Sequence, residues 1–338
     1  MKAEARLQKK LKDKVICKTC PRYCVIAEGK EGFCKTRINV GGKLYTLIYA
    51  EVSSLNVDPI EKKPLFHFWP GSTSLSIGTV GCNLQCRYCQ NWQISAKSLE
   101  EVSTQQLKPE EIVEMAKKNG CKSISYTYNE PGIWFEYVFD TAKLAHRKGI
   151  LNVLKTNGYI SKEALKKLIP FIDAASIDLK AVNDEFYQKL CNTPSYKPVI
   201  ETAKLLIKNK KHVEIVNLVI PGWNDKEEDF RNLARVVVKE LGKDIPVHFT
   251  RFYPSHKLMN VETTPVKTLE RARNIAKKEG LKFVYSGNVP GHEYENTYCP
   301  KCNAVLVGRV GFDVVECKIK SGRCIKCGKK IPIVGECV

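Results

Sequence analysis

Apolar and polar positions along this chain follow two periods that take turns. From about residue 74 to 285, short runs of continuously apolar or β-branched residues predict buried strands: SLSIGTV (Ser74 to Val80), SISYTY (Ser123 to Tyr128), ILNVLKT (Ile150 to Thr156), AASIDLK (Ala174 to Lys180), HVEIVNLVI, PVHFTRF and LKFVY. Stretches of helical period lie between them. PEEIVEMAKKNG opens with Pro109 in a first turn and stops at Gly120; further helices are predicted from about Ile133 to Lys148, over SKEALKKLI, near Pro198 to Asn209, from Asp225 to Leu241 and from Thr268 to Glu279. Alternating units of about 30 residues imply an α/β fold with a parallel sheet and right-handed crossovers. Periodicity leaves two forms open, a doubly wound sheet or part of a TIM-like barrel. In either, chemistry collects at the C-terminal ends of the strands. The polar residues fall there: Cys82 follows the first strand, Asn129 and Glu130 the second, Asn157 the third, and Asp178 and Lys180 end the fourth.

Outside this core, residues 1–70 read as an N-terminal cysteine-containing module with a hairpin, NVGGKLYTLIYAEV, turning at Gly41-Gly42. Residues 71–288 form the core, and 289–338 a second small module of short strands. The opening MKAEARLQKKLKDK is charged throughout and lacks the apolar stretch of a secretory signal, so a solvated helix or tail is expected. No run of about 18 apolar residues appears, and a membrane span is not expected.

Charge and cysteine change the picture further. The formal net charge of +19 favours an acidic partner, nucleic acid included, although lysine excess also marks heat-loving proteins without a binding role. Fifteen cysteines in a cytosolic-looking chain suggest metal rather than disulfides. Cys121, Cys191, Cys317 and Cys337 stand apart and read as small buried apolar residues. The others form three groups.

The first group lies in VGCNLQCRYCQNW, where Cys82, Cys86 and Cys89 are three and then two residues apart. Structural zinc is normally closed by four ligands. Three thiolates without an obvious fourth suit a four-iron, four-sulfur (4Fe–4S) cluster with one iron left open; the alternatives are zinc completed from elsewhere, or three unrelated core cysteines. CPKC and CIKC, carrying Cys299, Cys302, Cys324 and Cys327, are knuckles 21 residues apart that read as a zinc ribbon, with rubredoxin-like iron as the rival. Cys17, Cys20, Cys24 and Cys34, with spacings of two, three and nine residues, suit either zinc or a second iron–sulfur cluster.

CNLQCRYC, with Tyr88 before its last cysteine, resembles the CxxxCxxC motif of the radical SAM superfamily. That resemblance implies an open iron chelated by the amino and carboxylate groups of S-adenosylmethionine (SAM), whose reductive cleavage gives a 5′-deoxyadenosyl radical. SYTYNEP, KTNGY, IDLKAVND and VIPGWND are similar to the pyruvate formate-lyase activating enzyme branch. By that similarity Asn129 and Glu130 stand where the family holds the methionine amino group, Asp178 and Lys180 form its DxK pair near SAM, and His256 lies beside the cofactor. The branch typically has DTNG where this chain has Lys155-Thr156-Asn157-Gly158. There the aspartate, the threonine and the DxK aspartate surround a monovalent cation, so Lys155 is expected to put its ammonium in the cation's place and pair with Asp178; an outward surface lysine is the alternative.

Together with CxxCPRYC…GFCKTR and the terminal ribbon, the core is similar to the radical SAM enzyme family of the AmmeMemoRadiSam system. This implies a partial (β/α)6 TIM-like barrel, Memo-family and AMMECR-type partner proteins, a ferredoxin or flavodoxin as electron donor, and a reducing cytoplasm. Two other functions stay open, activation of a glycyl radical enzyme and a non-catalytic electron-transfer or nucleic-acid-binding metal protein. Asn129, Glu130, Asp178 and Lys180 argue against the last, since an electron carrier has no use for a SAM site.

Overall fold

The computed structural model describes all 338 residues. An eight-stranded sheet runs through its centre: β1 (Ser54–Pro59), β2 (Thr73–Gly78), β3 (Ser123–Tyr126), β4 (Leu151–Thr156), β5 (Ala174–Asp178), β6 (His212–Val219), β7 (Val247–Arg251) and β8 (Val284–Gly287). Spatial order follows chain order; β1 is antiparallel to β2, and β2 to β8 are parallel throughout. In a doubly wound sheet the order reverses part-way, and here it does not. With crossovers of one hand, sequential order puts the helices in one layer on one face.

Those helices are α1 (Pro109–Lys118), α2 (Phe135–Arg147), α3 (Lys162–Leu168), α4 (Asp184–Cys191), α5 (Lys197–Lys208), α6 (Glu227–Glu240) and α7 (Val266–Lys278). In sequence order α1 packs on α2, α2 on α3, and α6 on α7. Only α4 lies outside the predicted set. Alternation along each strand sends Leu75, Ile77, Ile124, Tyr126, Leu154, Ala175, Ile177, Val213 and Ile215 into the main core. The opposite face carries small and polar residues, among them Ser74 and Ser125, whose hydroxyls meet at 2.6 Å, and farther along Lys155 and Asp178.

The start of the strands is sealed from below. Glu214 near the start of β6 accepts from His212 Nε2 at 2.9 Å, His248 Nε2 at 2.7 Å and the His67 backbone N–H at 2.7 Å. The Phe66–Phe68 segment is held in turn by the C-terminal module, through Arg309 Nη2 to the Phe66 carbonyl at 2.8 Å and Val334 N–H to the His67 carbonyl at 2.8 Å. Functional groups are therefore left with the other end.

Two expectations are corrected. The N-terminal stretch is neither helix nor tail: Ala3–Glu4 pairs with Lys43–Thr46, and Gln8–Leu11 with Lys14–Cys17. Ala5 and Leu7 are buried on a period of two, and a local hairpin together with the pairing of Ala3–Glu4 far along the chain outweighs the helix propensity of the charged residues. Cys317 and Cys337 are not isolated; they form a disulfide. The hairpin at Gly41-Gly42 is present, both glycines at positive φ (63° and 72°), as a tight turn between two strands requires. β1 lies within the stretch assigned to the N-terminal module, yet forms the edge of the central sheet. No helix is long and apolar enough to cross a membrane.

The N-terminal module is tied to α2 by a fully buried ion pair, Arg37 Nη2 to Glu136 Oε2 at 2.7 Å, and by the half-exposed pair Arg6–Asp140 at 2.6 Å. Glu136→Ala leaves a buried guanidinium uncompensated and is expected to lower stability by about 3–5 kcal/mol. Arg6→Ala should cost no more than about 1 kcal/mol. Denaturant unfolding under anaerobic conditions measures both, and equal losses would show that the buried pair is not the anchor.

Candidate active site

The cysteine loop, residues 80–91, leaves the C-terminal end of β2 and is pinned from four sides. Gly81, at φ +83°, lies so close to the N-terminal module that a Cβ would come within 2.6 Å of the Cys34 carbonyl oxygen. Asn129, just past β3, donates to the Gly81 carbonyl at 2.8 Å and accepts from the Thr79 N–H at 3.2 Å. At the C-terminus of α4, where Asn192 turns left-handed and the last carbonyls lose their helical partners, the Leu190 and Cys191 carbonyls accept from the Arg87 and Gln85 N–H groups. Beyond β7, Ser255 Oγ donates to the Cys89 carbonyl at 3.1 Å and Lys257 N–H to that of Arg87 at 2.8 Å. His256 between them stacks on Trp92, ring centres 5.3 Å apart.

The loop presents Cys82, Cys86 and Cys89, all half-buried. Cys82 Sγ receives the Leu84 N–H at 3.4 Å and lies 3.7 Å from Asn157 Nδ2. The three sulfurs are not all within 4.8 Å of one another, a condition that only Cys299, Cys302, Cys324 and Cys327 meet in this chain. A mononuclear ion needs its sulfurs close, whereas a cluster binds each through a different iron and spreads them. The spread fits a cluster.

Next to the loop are the ends of β4 and β5. Lys155 and Lys180 both pair with Asp178, Lys180 Nζ at 3.3 Å from Oδ2 and Lys155 in direct contact with Oδ1. Burial would raise the Asp178 carboxyl, but the two ammonium groups hold it below its usual range. Two cations thus face one carboxylate here, with the Glu130 carboxyl near enough to Asp178 to interact with it. Lys180 also lies 5.7 Å from the centre of the buried Tyr88 ring, whose hydroxyl is 3.4 Å from Cys191 Sγ.

Glu130 has no exposed surface. Its carboxylate accepts from the Gly132 N–H at 2.7 Å, Thr156 Oγ1 at 2.8 and 2.9 Å, and the Asn157 N–H at 2.8 Å. Burial pushes its pKa up to about 7 while these donors pull the other way. In this arrangement Glu130 holds the Thr156–Asn157 turn in place, and that turn reaches the cysteine loop, since Asn157 Nδ2 donates to Asn83 Oδ1 at 2.9 Å.

Every residue assigned to the SAM site from the sequence thus lies at one end of the sheet. Three neighbours were not assigned to the site: Asn83, Asn157 and Cys191. Asn157 was visible in the KTNGY stretch; the other two carry no local signal, Cys191 because it reaches the site only when α4 ends against the loop. At the far end of the protein, Cys299 and Cys327 sulfurs are 3.6 Å apart and those of Cys302 and Cys324 3.7 Å, a compact set suited to a tetrahedral ion.

Residues 76–234, which span the cysteine loop, Glu130, Lys155 and Asp178, match the sequence profile of the Radical SAM superfamily. The chain belongs to the radical SAM superfamily. An uncharacterized protein of Methanocaldococcus jannaschii is 48% identical over 334 residues, 98% of this chain and 99% of that protein. The pyruvate formate-lyase 1-activating enzyme of Escherichia coli is 27% identical over 224 residues, 61% of this chain and 89% of the enzyme. The crystal structure of Streptococcus suis SuiB bound to S-adenosylmethionine shares the fold at a TM-score of 0.51 and 15% identity, over 71% of this chain and 56% of SuiB. Radical SAM proteins work with a 4Fe–4S cluster and SAM, and this chain is an enzyme of that superfamily. Its three thiols, which do not form a compact mononuclear set, and the two ammonium groups on Asp178 fit the two groups.

Glu130→Gln would place an amide NH2 against the N–H of Gly132 or Asn157. We expect a loss of about 1–3 kcal/mol from the unpaired buried donors, with weaker SAM binding because the Thr156–Asn157 turn loosens. Thermal unfolding and SAM titration check this; unchanged values in both would remove the bracing role.

Proposed function

We propose that this chain reductively cleaves SAM at a cluster on Cys82, Cys86 and Cys89, and that the product radical takes hydrogen from a substrate. The observation that carries the reading is the Lys155–Asp178–Lys180 arrangement beside the cysteine loop. When bound, the cluster and SAM supply the electron and the cleavable sulfonium bond. The chain's own residues bind and orient. The Lys155 and Lys180 ammonium groups on Asp178 receive the SAM carboxylate, and the Lys155 ammonium does what a monovalent cation does in the activating-enzyme branch. Glu130 and Asn129 act through the loops they brace, Tyr88 packs between the cysteine loop and Cys191, and His256 on Trp92 forms the lip on the β7 side.

The sequential sheet order supports a partial barrel whose open end is this site. The compact C-terminal cysteines support a zinc ribbon. By resemblance, the enzyme works with Memo-family and AMMECR-type proteins and takes electrons from a ferredoxin or flavodoxin in the cytoplasm. A second reading, activation of a glycyl radical enzyme, draws on the likeness to the activating enzyme above and to a putative glycyl-radical enzyme activating enzyme of M. jannaschii, 28% identical over 216 residues. The net charge keeps an RNA substrate within reach of the same test.

Anaerobically reconstituted protein, given SAM and dithionite, is expected to form 5′-deoxyadenosine, and Cys86→Ala to reduce it to background. Absence of SAM binding in the reconstituted protein would overturn the reading. Candidate protein, peptide and RNA substrates are then ranked by how far each accelerates product formation.

Lys155→Asp restores the branch's acid and should make SAM affinity depend on added potassium or sodium. Without the ion we expect about a tenfold loss, near 1.4 kcal/mol. Unchanged affinity and no cation effect would show that Lys155 does not stand in for the ion.

A further inference from the structure

We propose that Cys17, Cys20, Cys24 and Cys34 hold a second 4Fe–4S cluster, and that the compact mononuclear site is confined to the C-terminal four. The four N-terminal thiols line one hollow, closed by Arg22, Phe33, Arg37 and Asn83. They converge, but not closely: no three of their sulfurs are all within 4.8 Å of one another. Four thiolates on one ion with bonds of about 2.3 Å need sulfur–sulfur distances of about 3.8 Å. The C-terminal four meet that at 3.6 and 3.7 Å. The N-terminal four do not, and a cluster, which binds each thiolate through a different iron, asks for no such closeness.

The surroundings fit a cluster as well. Arg37 is 1% exposed, lines the hollow, and uses its two terminal nitrogens on Glu136 and the Ile133 carbonyl. Its Nε–H has no acceptor within the protein. A cluster brings inorganic sulfides as additional acceptors, which a lone metal ion does not. Cys17 Sγ is 3.5 Å from Thr19 Oγ1 and Cys34 Sγ 3.1 Å from Thr36 Oγ1, hydroxyls placed to donate to bound thiolates.

Position makes the site more than a staple. Asn83 lines this hollow, follows Cys82 in the chain, and bonds to Asn157, the residue that touches Cys82 Sγ. Arg22, on the hollow's rim, donates to the Asn83 carbonyl at 2.6 Å. Asn83 thus lines the hollow on one side and adjoins Cys82 on the other, so the second cluster would be a one-electron centre next to the Cys82 end of the loop. The assignment stands independently of what the triplet does.

The test is metal and sulfide analysis, with Mössbauer spectroscopy, of full-length protein purified anaerobically. Wild type is expected to hold about eight iron, matching sulfide and about one zinc per chain. The variant Cys82→Ala/Cys86→Ala/Cys89→Ala should retain about four iron as a 4Fe–4S cluster. Cys20→Ala/Cys24→Ala should lose about four iron, with zinc unchanged. If the triple variant carries no iron and wild type holds about two zinc, the proposal is overturned. Should wild type hold only about four iron, and the triple variant keep them, the N-terminal cluster stands and the reading of the triplet fails instead. The triple variant leaves the N-terminal module intact, so the outcome does not hang on whether the Cys20/Cys24 variant folds.

Discussion

Seven parallel strands laid down in chain order have their C-terminal ends along a single edge, and every loop that follows a strand emerges there. Residues far apart in the chain, Cys82 after β2, Glu130 after β3, Lys155 on β4, Asp178 on β5 and His256 after β7, become neighbours for this reason alone. The opposite edge is closed by Glu214 and its histidines, with the Phe66–Phe68 segment beneath them. One end is left for chemistry.

Much of this was legible in the residues. Strands and helices alternate with clear periods, and the cysteine spacing, NEP, TNG and DLK stretches all fall at strand ends. The pairing of Lys155 with Asp178, expected from the exchange of an acid for a lysine, is present. Less visible was whatever depends on contacts between distant segments. Strand order carries no periodic signature, so a doubly wound sheet and a sequential one read alike. Ala3–Glu4 is a strand only because Lys43–Thr46, far along the chain, pairs with it. The Cys317–Cys337 disulfide joins two residues that spacing could not link. Cys191, read as an ordinary buried residue, is buried, and yet it lies against Tyr88.

The site is held by polar groups that have no alternative partners. Glu130 is surrounded by donors from Gly132, Thr156 and Asn157, and Asn129 bridges Thr79 and Gly81. Groups so enclosed give a loop a single conformation, because any other leaves a buried donor or acceptor unmatched. Irregular chain in residues 80–91 is thereby made as definite as the sheet beside it, a condition for holding three thiolates at set positions.

The clamp between residues 66–71 and the C-terminal segment carries a consequence for how the protein reaches this state. His67 bonds to Pro332 across 265 positions of chain, and Val338 N–H to the Pro70 carbonyl lies close by. Contacts of such sequence separation require a large loss of chain freedom before they return any stabilisation. The sheet can assemble unit by unit from local crossovers, but its floor closes only when the two distant segments meet. Until then Phe66, Phe283 and Tyr285 stay uncovered, and the nascent molecule presents an aromatic surface prone to association with other chains.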